Sequence, residues 1–122
     1  MLSDVLGAGP HVRAGRVRGV AVSALKRTSA VPDIPTVNES GVPGYDVTGW
    51  YGMLTPAETP REIVVKLNDE VTRILRSPEA VDQFRRVGAE PSATTPEQFG
   101  AYIRTETEKW RKVVKVAGIK PE

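Results

Sequence analysis

Three Ser/Thr-Pro steps, Thr59-Pro60, Ser77-Pro78 and Thr95-Pro96, mark helix starts along the second half of this chain. A hydroxyl in front of the proline can accept a free amide of the first helical turn. Proline at the first helical position gives up no hydrogen bond, because its amide would have had no partner there. In Thr59-Pro-Arg-Glu62 and Thr95-Pro-Glu-Gln98 a Glu or Gln stands three residues after the hydroxyl, as a capping box requires. Apolar residues then recur at helical spacing: Ile63, Leu67, Val71, Ile74 and Leu75, next Val81, Phe84 and Val87, and finally Phe99, Tyr102, Ile103, Trp110, Val113, Val114 and Ala117. Gly88 ends the second run and Gly118 the third, with Ile119 folding back on the last turn. Helices are therefore expected over 60–76, 78–87 and 96–117, each with one buried face. The shared opener is capping chemistry and not a repeat.

The first half has a different texture. Residues 4–15 read as a short helix stopped at Gly15. Pro10 falls either in its middle or at the first position of a helix that begins only at Ala8 or Gly9. Val17-Arg-Gly-Val-Ala-Val22 predicts a strand over 17–23, and its apolar end implies burial on both faces. Lys26 to Pro35 is a loop, and Thr36-Val-Asn-Glu-Ser40 is one helical turn stopped by Gly41. The aromatic and β-branched run Tyr45–Thr55 predicts a second strand over 46–54, with Gly49 and Gly52 marking bends or close backbone contacts. Ala89 to Thr94 is a linker or a short strand. A β-rich third followed by helices makes the chain α/β or α+β, with few strands.

At 122 residues the chain is one domain or a piece of one, and 39% hydrophobic residues place it among globular chains. A net charge of +2 is too mild for a nucleic-acid module, which concentrates basic charge on one face. Lys109, Arg111, Lys112, Lys115 and Lys120 gather at the end of the last helix, where the helix dipole also favours them. There is no cysteine, hence no disulfide framework and no Cys-based zinc site. No apolar run reaches the roughly 18 residues of a membrane span. Met1–Pro10 lacks the basic start and long apolar centre of an export signal.

Enzymatic chemistry finds no foothold. His11 is the only histidine, and Asp4 lies off the spacing that would bring the two onto one helical face. Glu62, Asp69, Glu70, Asp82, Glu106 and Glu108 fall mainly on polar helix faces, with Glu108 and Lys112 spaced for an i,i+4 pair. Arg13, Arg16 and Arg18 read as solvated charges at a strand end, and Gly41-Val-Pro-Gly44 lacks the spacing of a phosphate loop. Trp50 and Tyr51 sit between glycines, where an aromatic can wall a ligand cleft or plug a domain joint. No nucleophile, base and orienting group can be assembled, so no enzyme and no cofactor are expected.

The order of segments resembles a known family. Pro10-His-Val-Arg-Ala-Gly-Arg-Val-Arg-Gly-Val-Ala-Val-Ser23, Pro32-Asp-Ile-Pro-Thr-Val-Asn-Glu-Ser-Gly-Val-Pro-Gly-Tyr45 and Gly49-Trp-Tyr-Gly-Met-Leu-Thr-Pro-Ala57 follow one another. Thr59-Pro-Arg-Glu62, Gly88-Ala-Glu-Pro91, Thr95-Pro-Glu-Gln-Phe99 and the tail from Trp110 to Ile119 continue the series. Together they resemble the C-terminal part of the tripartite tricarboxylate transporter receptors, the Bug family of periplasmic binding proteins. Each motif is weak alone, and their collinear order is what makes the likeness specific.

That resemblance implies part of a periplasmic-binding-protein type fold with three C-terminal helices. Residues 1–45 would end the second lobe, and residues 46–122 would cross the hinge and return to the first. It implies a receptor that closes on a small carboxylate-bearing solute and delivers it to membrane transporter subunits, with no nucleic acid involved. The solute would be held by backbone amides, helix N-termini and bridging water, which needs no fixed cation. The first lobe's main ligand loop would lie upstream. The second lobe's cleft loop, where the family often has Phe-Asp-Asn, would align with Leu2, Ser3 and Asp4. Ser3, Asp4 and, near the hinge, Trp50 are the implied ligand contacts. The implied compartment is the periplasm. With no export signal, such a chain is expected to be a fragment or a shortened reading frame. Without upstream strands it is expected to form a homo-oligomer, a dimer with Trp50 or Tyr51 at the contact. The alternative is a self-associating interaction module that binds no ligand of its own.

Overall fold

The computed structural model describes residues 3–120, so Leu2 lies outside the described residues. Four helices follow in order: α1 Val5–Arg13, α2 Arg61–Leu75, α3 Pro78–Val87 and α4 Pro96–Val116. The described residues form two compact units. One comprises the chain up to Leu54 together with Ile74–Ser92; the other comprises Thr55–Arg73 and the chain from Ala93.

In the first unit Asp4 starts α1, its side chain accepting the Gly7 amide and its carbonyl the Ala8 amide at 3.0 Å. That cap sets the start at Val5 and leaves Pro10 inside the helix, so a start at Ala8 or Gly9 is ruled out. Gly15, at φ 68°, turns the chain out of the helix. α3 has Ser77 as its cap, accepting the Ala80 amide at 3.3 Å, and Gly88 at φ 83° as its stop. Gly88 also sits against α1: a Cβ there would lie 3.0 Å from Val5 Cγ1 and 3.2 Å from the Ala30 methyl. Val22, Ala30, Val31 and Gly9 are buried, and Thr36 is fully enclosed.

The two expected strands do not form as ladders. Val22 makes an isolated parallel bridge with Thr36, through Val22 N–H to Pro35 O and Val37 N–H to Val22 O, each 2.9 Å. Burial on both faces fails as well, since Val20 is three-quarters exposed. Over 46–54 the backbone is extended without strand pairing, with Val47 N–H bonded to Ser23 O at 2.8 Å. A strand exists only with a neighbour to share its ladder, and beyond this bridge the described residues supply none. Gly49 marks no close approach: no atom lies within 4 Å of a Cβ placed there. Residues 89–94 are a linker. The expected single turn at Thr36–Ser40 is present, closed by Ser40 N–H to Thr36 O at 3.0 Å and followed by Gly41 at φ 105°.

In the second unit α4 opens with the full capping box. The Gln98 amide donates to Thr95 Oγ1 at 3.2 Å, and the Thr95 amide donates to Gln98 Oε1 at 2.9 Å. It closes with Gly118 at φ 66° and Ile119 N–H bonded back to Val114 O at 3.1 Å. α2 starts differently from the expectation. The Pro60 carbonyl accepts the amides of Ile63 and Val64, so Pro60 holds the cap place and Thr59, one residue further out, makes no capping bond. Asn68 Nδ2 donates to Thr94 O at 2.8 Å, and Arg61 pairs with Glu97 at 2.9 Å. The Glu108–Lys112 pair does not form among the described residues; Lys109 pairs with Glu106 instead, and Trp110 Nε1 donates to the same carboxylate.

The helical stripes are correct in position and wrong in burial. No residue of α2, α3 or α4 is buried, and Ile63, Leu67, Phe84, Tyr102 and Trp110 all stand exposed. An amphipathic face is buried only by a second layer, and the described residues contain no sheet to provide one. Among the described residues the fold consists of four helices and almost no strand.

Candidate functional site

Ser3 and Asp4 stand together at the amino end of α1, both exposed. Asp4 is engaged as the helix cap, which orients its carboxylate toward the first-turn amides. Trp50 lies on the separate extended segment 46–54, with its indole 42% exposed. An aromatic on an extended segment, half open to water, offers a flat apolar wall and one neutral donor, its ring N–H.

The segment carrying Trp50 is fixed at its start by residues that sequence reasoning did not single out. Asp46 Oδ1 accepts the Leu25 amide at 3.2 Å and the Thr48 hydroxyl at 3.0 Å. Ser23 Oγ donates to Val47 O at 2.7 Å, returning the bond that Val47 N–H makes to Ser23 O. The signal was present in Asp46-Val-Thr48: an Asp two residues before a Thr is a local side-chain bonding pattern typical of turns.

A second cluster surrounds the enclosed Thr36. Its amide donates to Glu39 Oε2 at 2.8 Å, its hydroxyl accepts the Glu39 amide at 2.9 Å, and its carbonyl accepts the Ser40 hydroxyl at 2.7 Å. Arg27 Nε meets the same Glu39 oxygen at 2.9 Å while its Nη1 reaches Pro32 O at 3.3 Å. The Thr36 amide and then the Arg27 guanidinium hold the Glu39 carboxyl below the usual carboxylate range. Glu97, in the first turn of α4, is lowered likewise, chiefly by its own backbone amide and the Thr95 side chain. Both carboxylates are committed to structure and not poised for proton transfer.

Among the described residues no three His, Asp or Glu side chains group to hold a metal ion. A shallow trough of about 540 Å³ runs along α2, lined by Arg61, Glu62, Val65, Lys66, Asp69 and Glu70. One flank of one helix does not enclose a solute, and none of the nominated residues borders it. The described geometry offers one wall, a helix amino end and an aromatic on an anchored segment. It offers no catalytic set.

Residues 1–119 match the family model described as the tripartite tricarboxylate transporter family receptor. Protein BugT of Bordetella pertussis is 33% identical over 110 residues, covering 90% of this chain and 34% of that protein. The fold is similar to that of Rpa4515 of R. palustris, solved with adipate, at TM-score 0.86 and 36% identity over 97% of this chain and 40% of the other. It is also similar to MatC of Rhodopseudomonas palustris, solved with bound malate, at TM-score 0.74 and 34% identity over 90% of this chain and 38% of the other. The chain spans about a third of the length of BugT and of most of the other curated relatives it matches.

Proposed function

The chain belongs to the tripartite tricarboxylate transporter receptor family, and from that we propose that it supplies one side of a cleft that closes on a small carboxylate-bearing solute. The observation that carries this reading is the likeness along nearly the whole chain to a receptor solved with adipate, supported by the one solved with malate. Residues 1–45 end the second lobe, and residues 46–122 cross the hinge and return toward the first. Ser3 and Asp4 at the amino end of α1 and Trp50 on the crossing segment face the solute. The receptor works in the periplasm, hands its solute to membrane transporter subunits, and performs no chemistry on it. An anion at such a site is held by backbone amides and water, which requires no fixed cationic residue.

Calorimetric titration separates the parts of this reading. A hybrid receptor, in which this chain replaces the matching portion of the adipate-bound relative, is titrated with adipate, malate and citrate. Saturable heat with at least one of them is the expected result. The isolated chain is expected to give none, because one side of a cleft leaves most of the solute in water. A folded hybrid silent to all three solutes defeats the receptor reading. A micromolar or tighter dissociation constant for the isolated chain defeats the requirement for a second side.

A further inference from the structure

We infer that Gly88, the glycine that ends α3, is the positioning residue for the amino end of α1: the space it leaves receives Val5, and Val5 sets where Ser3 and Asp4 stand. The inference rests on the reading of Ser3 and Asp4 as cleft residues. It goes beyond that reading by assigning their placement to a contact between two helices far apart in sequence.

The end of α3 is fixed by its own hydrogen bonds. Gly88 N–H donates to Arg85 O at 3.0 Å and Ala89 N–H to Phe84 O at 2.9 Å, with Gly88 at φ 83°. That turn lays the Gly88 backbone against the first turn of α1. A Cβ on Gly88 would lie 3.0 Å from Val5 Cγ1, 3.2 Å from the Ala30 methyl and 3.5 Å from Val5 O. Carbon atoms in favourable contact stand about 3.5–4.0 Å apart, so a side chain at 88 displaces one neighbour or the other. Ala30 is the firmer of the two. It is buried, and its carbonyl accepts Arg13 Nη1 from the far end of α1 at 3.1 Å. Val5 is only half-buried, and it gives way. Asp4 precedes it and is tied to the same turn twice, its side chain accepting the Gly7 amide and its carbonyl the Ala8 amide at 3.0 Å. A shift at Val5 therefore carries Asp4 and the adjoining Ser3 with it.

Amide NMR of the 122-residue chain reads this seat through Gly7, whose N–H is bonded to the Asp4 carboxylate. Gly88→Ala is expected to move the Gly7 resonance. In a chain already carrying Val5→Ala the same substitution is expected to move it little, because the new methyl fills space the valine has left. Gly118→Ala meets left-handed strain of the same kind, at φ 66° with no atom within 4 Å of a Cβ, and is expected to leave Gly7 in place. An unmoved Gly7 in Gly88→Ala overturns the inference. So does an equal displacement in the Val5→Ala background or in Gly118→Ala. Should Gly88→Ala lose its helical circular dichroism, Val5→Ile crowds the seat from the other side. A displaced Gly7 there supports the inference, and an unmoved one overturns it. In the hybrid receptor Gly88→Ala is expected to weaken solute binding several-fold at unchanged stoichiometry. The parent's affinity, whether at full or at reduced stoichiometry, overturns the positioning role, since simple destabilisation removes sites without weakening them. A parent hybrid silent to every solute defeats the receptor reading alone, and the Gly7 resonance still decides the seat.

Discussion

Thr36 and Glu39 cap one another: the Thr36 amide donates to Glu39 Oε2 at 2.8 Å, and the Glu39 amide donates to Thr36 Oγ1 at 2.9 Å. This is the reciprocal arrangement of a helix-opening box used on a single turn. It surrounds the one side chain that is fully enclosed among the described residues, and through the Val22 bridge it holds the loop that meets Val47. Replacing Thr36 by Val keeps the shape and removes the acceptor, and is expected to cost about 1 kcal/mol of stability, as lost caps do. Urea unfolding of the variant checks it, and an unchanged midpoint would contradict the capping role.

The same pair sets an acid dependence. Glu39 is held below the ordinary carboxylate value of 4.5, first by the Thr36 amide and then by Arg27. Well above 4.5 the side chain is ionised in both folded and unfolded chains, and its contribution is fully present. As the pH falls below 4.5 the unfolded chain takes up the proton first, so stability declines until the lowered folded value is passed. Glu39→Gln keeps an acceptor without the titration. Its thermal midpoint is expected to fall less than the parent's across that acid range, and parallel curves would remove Glu39 as a cause.

Two glycines are expected to respond to alanine in opposite directions. Gly88 combines φ 83° with contact distances of 3.0 Å to Val5 Cγ1 and 3.2 Å to Ala30 Cβ. Gly88→Ala therefore meets a left-handed backbone penalty of about 1–2 kcal/mol with crowding added. Gly49 has neither a left-handed φ nor a neighbour within 4 Å of a Cβ. Gly49→Ala should stabilise by about 0.4–1 kcal/mol through the unfolded chain. Chemical denaturation of both settles the contrast, and equal shifts would refute it.

Which parts of this fold the sequence reveals depends on how local their cause is. Ser77, Gly88, Thr95, Gln98 and Gly118 act within one turn of their own position, and the helix bounds they imply agree with the structure to within a residue or so. Asp4 acts locally too, and its cap overrides the ambiguity raised by Pro10. Strands over 17–23 and 46–54 depend on partners elsewhere in a chain, and composition says nothing of whether those partners are present. Burial of the Ile63–Leu75 stripe fails for the same reason. Of the candidate site, Trp50 was legible as an aromatic between glycines. The tie at the start of its segment was not, because Asp46 acts through Leu25, twenty-one residues away in sequence.

The capping difference between α2 and α4 yields its own measurement. Both openers have the same Thr-Pro form, yet Thr95 accepts the Gln98 amide while Thr59 makes no capping bond and Pro60 O receives the first amides. Thr95→Ala is expected to cost about 1 kcal/mol. Thr59→Ala should stay within about 0.5 kcal/mol of the parent, as surface changes do. Equal losses at the two positions would show that the sequence motif, and not the bond, carries the stability.

Self-association is the last expectation, and the exposed segment supplies its reason. Among the described residues Gly49, Tyr51, Gly52, Met53 and Leu54 enter no backbone–backbone hydrogen bond, while Tyr51, Met53 and Leu54 are 84%, 65% and 74% exposed. Extended backbone with unpaired amides and apolar side chains is a template for another strand. Each copy of the chain presents the same template, so an isologous contact across a twofold axis pairs two segments at once. The 13.3 kDa chain is therefore expected to sediment above monomer mass at tens of micromolar, with Trp50 or Tyr51 at the contact. Tyr51→Lys with Met53→Lys places like charges along that edge, and should return the monomer without loss of helical circular dichroism. A parent chain that sediments as a monomer at those concentrations removes the edge as an interface. A double variant that still associates moves the interface to the exposed helical stripes.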